Sequence, residues 1–254
     1  MGFLVGTDEA GYGPNLGPLV ISATVWSVPD EALGCDLYRV LRKAVAGRPP
    51  AAARHHQGRV VLADSKTLYN PAQGLGLLER GLLAVLAMLD HRPSRWQQMW
   101  ELLCPEAASE LTSAPWFLDY DDGLPLVANV KDLERAAARL RDCCEQAGVR
   151  LVSVRCRAVF PEELNRLLAE HGNKAAALSH LTLALLSSVL GALPDGPVAV
   201  TCDKHGGRNA YGSLLQCYAD DWLVEVYGES RQASVYRFGP EQRRVEVCFR
   251  PRAE

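Results

Sequence analysis

An α/β fold with a mixed sheet is predicted by three features of the chain. Apolar, β-branched segments stand near both ends; long Ala- and Leu-rich amphipathic segments lie between them; and the first two strand-like runs are joined through a tight Gly/Pro loop that suits an antiparallel pair. In order, "FLVGTD" is a first strand and "LGPLVISATVW", Leu16 to Trp26, a second. A short helical stretch near "EALGCDLYRVLRKAV" gives way to the irregular "AGRPPAAARHHQG", whose His55 and His56 face solvent on this reading. The helix "LGLLERGLLAVLAML" follows, with Asn70 and Pro71 as start signals. Residues 91–128 hold four prolines and the tryptophans Trp96, Trp100 and Trp116 without repeats, and read as an inserted subdomain or lid.

Regular patterning then returns. "KDLERAAARLRDCCEQAG" is an amphipathic helix capped by Asn129 and ended by Gly148. The strand "VRLVSVRCRAVF" leads into a helix with Pro161 in its first turn and then the long apolar helix "KAAALSHLTLALLSSVLGAL", ended by Gly191 and Pro194. "GPVAVTCDKHGG" repeats the opening pattern of apolar strand, carboxylate and glycines. A helix, "RNAYGSLLQCYA", and strands near "WLVEVY", "QASVYRF" and "RRVEVCFR" complete the chain.

Composition narrows the function classes. With 254 residues, 48% of them hydrophobic and 22% charged, the chain is sized for a single domain spanning 1–254 with one elaboration. No apolar run approaches the roughly 20 residues of a membrane span, and "MGFLVGTDEAG" has no basic leader pattern. The expectation is a cytoplasmic monomer without a membrane partner. Eight cysteines form no CxxC pair, which argues against zinc and for reduced core residues. A net charge of −3 argues against a wholly basic nucleic-acid coat and leaves room for a local patch, for which Arg231, Arg237, Arg243 and Arg244 are the candidates.

The chemistry concentrates in "GTDEAGYGPNLGP", where Asp8 and Glu9 stand between an apolar strand and a glycine loop. Gly6 and Gly11 have the outer spacing of a phosphate-binding loop, but Tyr12 stands where its lysine belongs, and two carboxylates repel phosphate unless a cation comes between. There is no G-x-G-x-x-G. Mg²⁺ and Mn²⁺ favour carboxylate oxygen and keep positions open for water and substrate phosphate. Adjacent strand residues face opposite ways, so Asp8 and Glu9 converge only where the strand bends or ends. Asp203, behind "VAVTC", is a second strand-end acid able to lie beside them at one sheet edge. The plainer alternative is that each acid caps a turn.

"GTDEAGYGPNLGPLVISA" resembles the first motif of the ribonuclease HII family, the type 2 ribonucleases H. "DSKTL", Asp64 to Leu68, is similar to that family's D-S-K-K-L segment, "FPEELNRLLAEHGNKAAALSH" to its following helices, and "VAVTCD" to the strand bearing its third carboxylate. The resemblance implies a ribonuclease H-like fold, a mixed five-stranded sheet flanked by helices. It also implies a divalent-metal-dependent endonuclease that cuts the RNA strand of RNA/DNA hybrids or at ribonucleotides in DNA. Asp8, Glu9 and Asp203 would be catalytic ligands of Mg²⁺ or Mn²⁺, two ions about 4 Å apart in the two-metal scheme. Ser65 and Lys66 would contact substrate phosphate, and Gly11, Tyr12 and Gly13 the ribose and backbone. In the loop after Asp203, Lys204 and Arg208 are candidates for backbone contacts, and His205 either moves a proton, contacts phosphate or is a plain loop histidine.

Three features depart from the family pattern. Tyr12 replaces an arginine, residues 91–128 are extra, and no segment after the last strand matches the helix that carries the family's fourth carboxylate. Asp220, Asp221 and Glu229 are acids in the right half without a matching motif, so the chain is truncated relative to the family, another acid substitutes, or the second metal is weakly held. The tryptophans of 91–128 either stack on bases as a clamp or form a small core of their own. The rival to an enzyme is a catalytically weakened relative that binds hybrid or structured nucleic acid without cutting it.

Overall fold

The computed structural model describes residues 1–10, 17–49, 58–69, 71, 74–115, 117–219, 222–251 and 253. The strands are β1 (Gly2–Ala10), β2 (Leu19–Val28), β3 (Val45–Ala46), β4 (Val60–Val61), β5 (Arg150–Val159), β6 (Val198–Asp203), β7 (Glu225–Glu229), β8 (Ser234–Phe238) and β9 (Val245–Arg250). The described helices are α1 (Leu37–Val40), α2 (Ser65–Leu68), α3 (Gly76–Met88), α4 (Trp96–Leu103), α5 (Ala108–Ser113), α6 (Val130–Gln146), α7 (Pro161–His171), α8 (Lys174–Gly191) and α9 (Gly212–Gln216).

Local signals start and stop these helices. Asn129 Oδ1 accepts the Asp132 amide at 3.2 Å and opens α6, and Gly148, at φ +65°, turns the chain out of it. Pro161 takes the first position of α7, where its missing N–H has no partner to lose. Asn173 caps α8 in the same way as Asn129 caps α6, through the Ala176 amide at 2.9 Å. By length and composition α8 is apolar enough to cross a membrane; in this fold it is a core helix, with Leu183, Leu186 and Val189 buried against the sheet. The α3 signal at Asn70 lies outside the described residues, and the helix begins later, at Gly76.

Seven strands form one mixed sheet in the order β5-β2-β1-β6-β9-β8-β7. β2 runs antiparallel to both β1 and β5, while β6 is parallel to β1 and to β9. The expected five-stranded sheet is corrected to seven. The hairpin of β7 and β8, inserted between β6 and β9, turns back and hydrogen-bonds along the open edge of β9, Ser234 opposite Phe249 through Phe238 opposite Val245. An unpaired row of backbone donors and acceptors is a template for such addition.

The two faces of the sheet bury separate cores. On one, Phe3 and Val5 of β1, Val198, Val200 and Cys202 of β6 and Val247 and Phe249 of β9 pack with α8 and α9. On the other, Trp26 and Val28 of β2 meet α3, α6 and the small β3–β4 ladder. The buried Arg80 fastens α3 to α6, its Nε donating to Asp132 at 2.7 Å and its Nη1 to the Arg59 carbonyl at 2.7 Å. All eight cysteines are free thiols, with Cys104, Cys143, Cys144 and Cys202 buried.

Residues 91–128 close on themselves. Trp96 lies edge-on to Trp100 with ring centres 5.8 Å apart and 5.2 Å from Phe117, and this group packs on Ala158 and Phe160 at the end of β5. Trp96 and Trp100, both partly exposed, thus give apolar area to a small core; Trp116 lies outside the described residues.

Phe249 is the centre of an aromatic stack, its ring parallel to Tyr211 at 3.7 Å and edge-on to His205 and Tyr236. Phe249→Ala is expected to lower stability by about 3–5 kcal/mol, read as a lower urea midpoint at unchanged m-value. A loss below about 1 kcal/mol would show that β9 is not the wall of this core.

Candidate active site

The parallel pairing of β1 and β6 fixes where the acids lie. Phe3 stands opposite Val198 and Gly6 opposite Thr201; two residues further along each strand, Asp8 comes level with Asp203. The apolar residues of both strands alternate into the Phe3 core, so Gly6, Asp8, Thr201 and Asp203 fall on the other face. There they line an open cleft of about 700 Å³, with Ser22, Thr24 and Trp26 on the sheet and Asp36, Tyr38, Leu62 and Ala63 from the segment that crosses it.

β1 does not bend or end at the acids. It continues to Ala10 in unbroken register with β2, Asp8 opposite Ser22 and Glu9 opposite Ile21. A complete ladder of backbone hydrogen bonds to the β-branched β2 keeps the strand extended, so the expected local convergence of Asp8 with Glu9 is replaced by a division across the sheet. Asp8 faces the cleft, and Glu9 faces the side of Thr7, where burial raises the pKa values of Cys202 and Tyr211 and the charge of Glu9 adds to both.

The acids nevertheless form one electrostatic group. Burial pushes Glu9 up to about 7, and the charges of Asp8 and Asp203 add to it. Asp8 is raised as well, first by burial and then by Asp203 and Asp64 against a lowering hydrogen bond from the Glu9 amide. Lys66 pulls both down. Among the described residues neither Asp8, Glu9 nor Asp203 has an ion-pair partner; Asp203 Oδ1 accepts only the Ala253 amide, at 2.5 Å. Carboxylates that repel one another without a cationic partner are a donor set that a hard divalent cation fits. Among the described residues no three acids, histidines or cysteines converge on one point, and Mg²⁺, which keeps most of its waters and takes one or two carboxylates, does not require that they do.

The other expected residues divide into those that face the cleft and those that do not. Ser65 and Lys66 are exposed on α2, which follows directly on the cleft-lining Leu62 and Ala63. Lys204 is turned away: its ammonium donates to Asn209 Oδ1 at 2.8 Å, to Ser234 Oγ at 3.1 Å and to the Ser230 carbonyl, which occupies its three donors. His205 is 1% exposed and accepts or donates through Nδ1 to Ser179 Oγ at 3.0 Å. Burial, with Arg208 second, pushes it down to about 4, so it is a neutral core residue at pH 7. Arg208 leans over the Tyr211 ring at 6.0 Å. Gly11, Tyr12, Gly13, Asp220 and Asp221 lie outside the described residues, and Glu229 is taken up by the Tyr236 hydroxyl.

Of the arginines read as a basic patch, Arg237 pairs with Glu246 at 2.7 Å and stacks on Tyr227, and Arg243 donates to the Leu190 carbonyl at the end of α8. Arg231 does reach the site, lining a smaller cleft of about 560 Å³ that shares Asp203 and Lys204. Two site residues escaped the sequence reading. Asp64 adds a further negative charge beside Asp8, and Arg250, opposite Asp203 in the β6–β9 register, lines the main cleft. The signal for Asp64 was its place in "DSKTL"; that for Arg250 exists only once β9 is paired with β6. Searches against family models, curated proteins and solved structures returned no match to this chain.

Glu9 titrates near 7 in the native state against an ordinary 4.5. Between those values the folded protein holds a proton that the unfolded chain has released, so stability falls as pH rises through the window and stays lowered above it. Glu9→Gln removes the penalty. Because Glu9 is only partly buried, screening limits the gain to about 1 kcal/mol, or roughly 2–4 °C in Tm, measured in EDTA at pH 8 and vanishing near about pH 4. A variant no more stable than wild type at pH 8 would overturn this account.

Proposed function

We propose that the chain is a divalent-metal-dependent endonuclease of the ribonuclease HII type, cleaving the RNA strand of RNA/DNA hybrids or at ribonucleotides in DNA. The observation that carries the reading is the level placement of Asp8 and Asp203 on neighbouring parallel strands, facing one open cleft, with Glu9 beside them across the sheet edge. The five strands β5-β2-β1-β6-β9, with β2 running against its neighbours, support the ribonuclease H-like part of it, β8 and β7 being an extension of that mixed core.

Asp8 and Asp203 would hold the Mg²⁺ or Mn²⁺ from the cleft face, with Glu9 adding negative charge from across the sheet edge. The bound cation supplies Lewis-acid chemistry, lowering the pKa of water and neutralising charge on a phosphodiester. The chain's own residues do the rest. The cleft is floored by small side chains, Gly6, Ser22, Thr24, Ala199 and Thr201, which leaves a strand of nucleic acid room to approach the acids. Arg250, which lines the cleft, and Lys66, whose charge reaches Asp8 and Glu9, would offer positive charge against phosphate oxygens. Glu9, pushed up to about 7 by burial, would lose its proton to solvent as a cation binds nearby, because the added positive charge favours the carboxylate.

The test is cleavage of an end-labelled RNA/DNA hybrid, a DNA duplex with one ribonucleotide and an all-DNA duplex, in Mg²⁺ and in Mn²⁺. Cutting of the ribonucleotide-containing substrates is expected, abolished by EDTA and reduced by about 10²-fold or more in Asp8→Asn and Asp203→Asn. No cutting of any substrate in either metal would overturn the enzymatic reading; retained binding of hybrid would then favour a binding protein, and cutting of all-DNA duplex alone a different nuclease.

A further inference from the structure

The segment from Leu62 to Leu68 starts at the acid cleft, which Leu62 and Ala63 line, and carries two charges within electrostatic range of Asp8, one of which the nuclease reading uses. Lys66 is on a helix of four residues, too short to persist by its own hydrogen bonds, and its side chain is long and flexible. What holds it is visible on both sides. Upstream, the Leu62 amide donates to the Ala46 carbonyl at 3.0 Å and the Leu62 carbonyl accepts the Tyr38 hydroxyl at 2.9 Å, which fixes the chain along the cleft wall. Downstream, Leu68 is buried and pins the far end of the turn. Between them stands Asp64. Its Oδ1 accepts the Lys66 amide at 2.9 Å, and its carbonyl accepts the amides of Thr67 at 2.8 Å and Leu68 at 3.2 Å.

We propose that Asp64 is a positioning residue: by capping α2 through the Lys66 amide it sets the Lys66 ammonium at the rim of the acid cleft, where substrate phosphate is bound. The proposal rests on the nuclease reading. The charges of both residues reach the acids, Asp64 raising Asp8 and Lys66 lowering Asp8 and Glu9, so the turn lies within electrostatic range of the site. Capping needs an oxygen acceptor and no charge, and Asn does it as well as Asp, whereas Ala does not. A cation ligand, the other role open to an acid here, needs the charge.

The experiment compares Asp64→Asn, Asp64→Ala, Lys66→Ala and the Asp64→Ala/Lys66→Ala double variant, reading kcat and KM for hybrid cleavage in Mg²⁺ and the Kd of a fluorescent hybrid in Ca²⁺. Asp64→Asn is expected within about threefold of wild type in both readouts, and Asp64→Ala about five- to tenfold weaker in KM and Kd. In the Lys66→Ala background the Asp64→Ala change is expected to add less than about twofold, because its effect runs through Lys66. The inference is overturned if Asp64→Asn falls as far as Asp64→Ala, if Asp64→Ala matches wild type, or if its loss persists without Lys66. The same pattern in Kd with no cutting by wild type would sink the nuclease reading and uphold the role of Asp64; wild type that neither binds nor cuts sinks both.

Discussion

Everything at the candidate site depends on the parallel pairing of β1 with β6. Four residue pairs, Phe3 with Val198 through Gly6 with Thr201, hold the two strands in one register, and that register sets Asp8 beside Asp203. Like charges side by side push a sheet apart. The apolar residues that alternate with the acids resist that push: Phe3 and Val5 on β1 and Val198, Val200 and Cys202 on β6 are all buried in one core with α8 and the aromatic stack around Phe249. Burial first, and the charges of the neighbouring acids after it, raise the pKa values of both Asp8 and Glu9.

Positive charge near the site is divided by whether its hydrogen bonds are already used. Lys204 follows Asp203 in sequence, yet each of its donors is taken by Asn209, Ser230 or Ser234, so its work is to tie the β7–β8 turn to the loop after β6. Arg243 is likewise bound to the end of α8. Arg250 lines the main cleft, where its Nη2 also donates to the Ala253 carbonyl at 3.4 Å, Arg231 borders the adjoining one, and the charge of Lys66 reaches Asp8 and Glu9. Proximity in sequence to a carboxylate was therefore a poor guide to which cations face it.

His205 shows the same division for a titratable group. In "CDKHGG" it reads as a loop histidine able to move protons, but its ring lies edge-on to Tyr211 and Phe249 and bonds Ser179, while its amide binds the Tyr211 hydroxyl at 2.9 Å. Taking an imidazole out of water disfavours its charged form, so the residue serves the packing beneath the acids.

Local signals settled what is local. The caps at Asn129, Pro161 and Gly148 and the alternation in the strands read directly from residue type and period, because a cap or a strand face involves neighbours a few positions away. Asp8, Glu9 and Asp203 were legible as acids after apolar strands, and all seven strands of the sheet were legible as strands. Their order was not: that β7 and β8 would add to β9, and that β1 would run on through Asp8 and Glu9 to keep its ladder with β2, depends on hydrogen bonds between distant segments. Asp64 and Arg250 joined the site by the same route, one carried in beside the β3–β4 ladder and the other set opposite Asp203 by the pairing of β9 with β6. Residue types and their spacing fix which groups can bear charge, cap or bury; only the register of the folded sheet decides which of them meet.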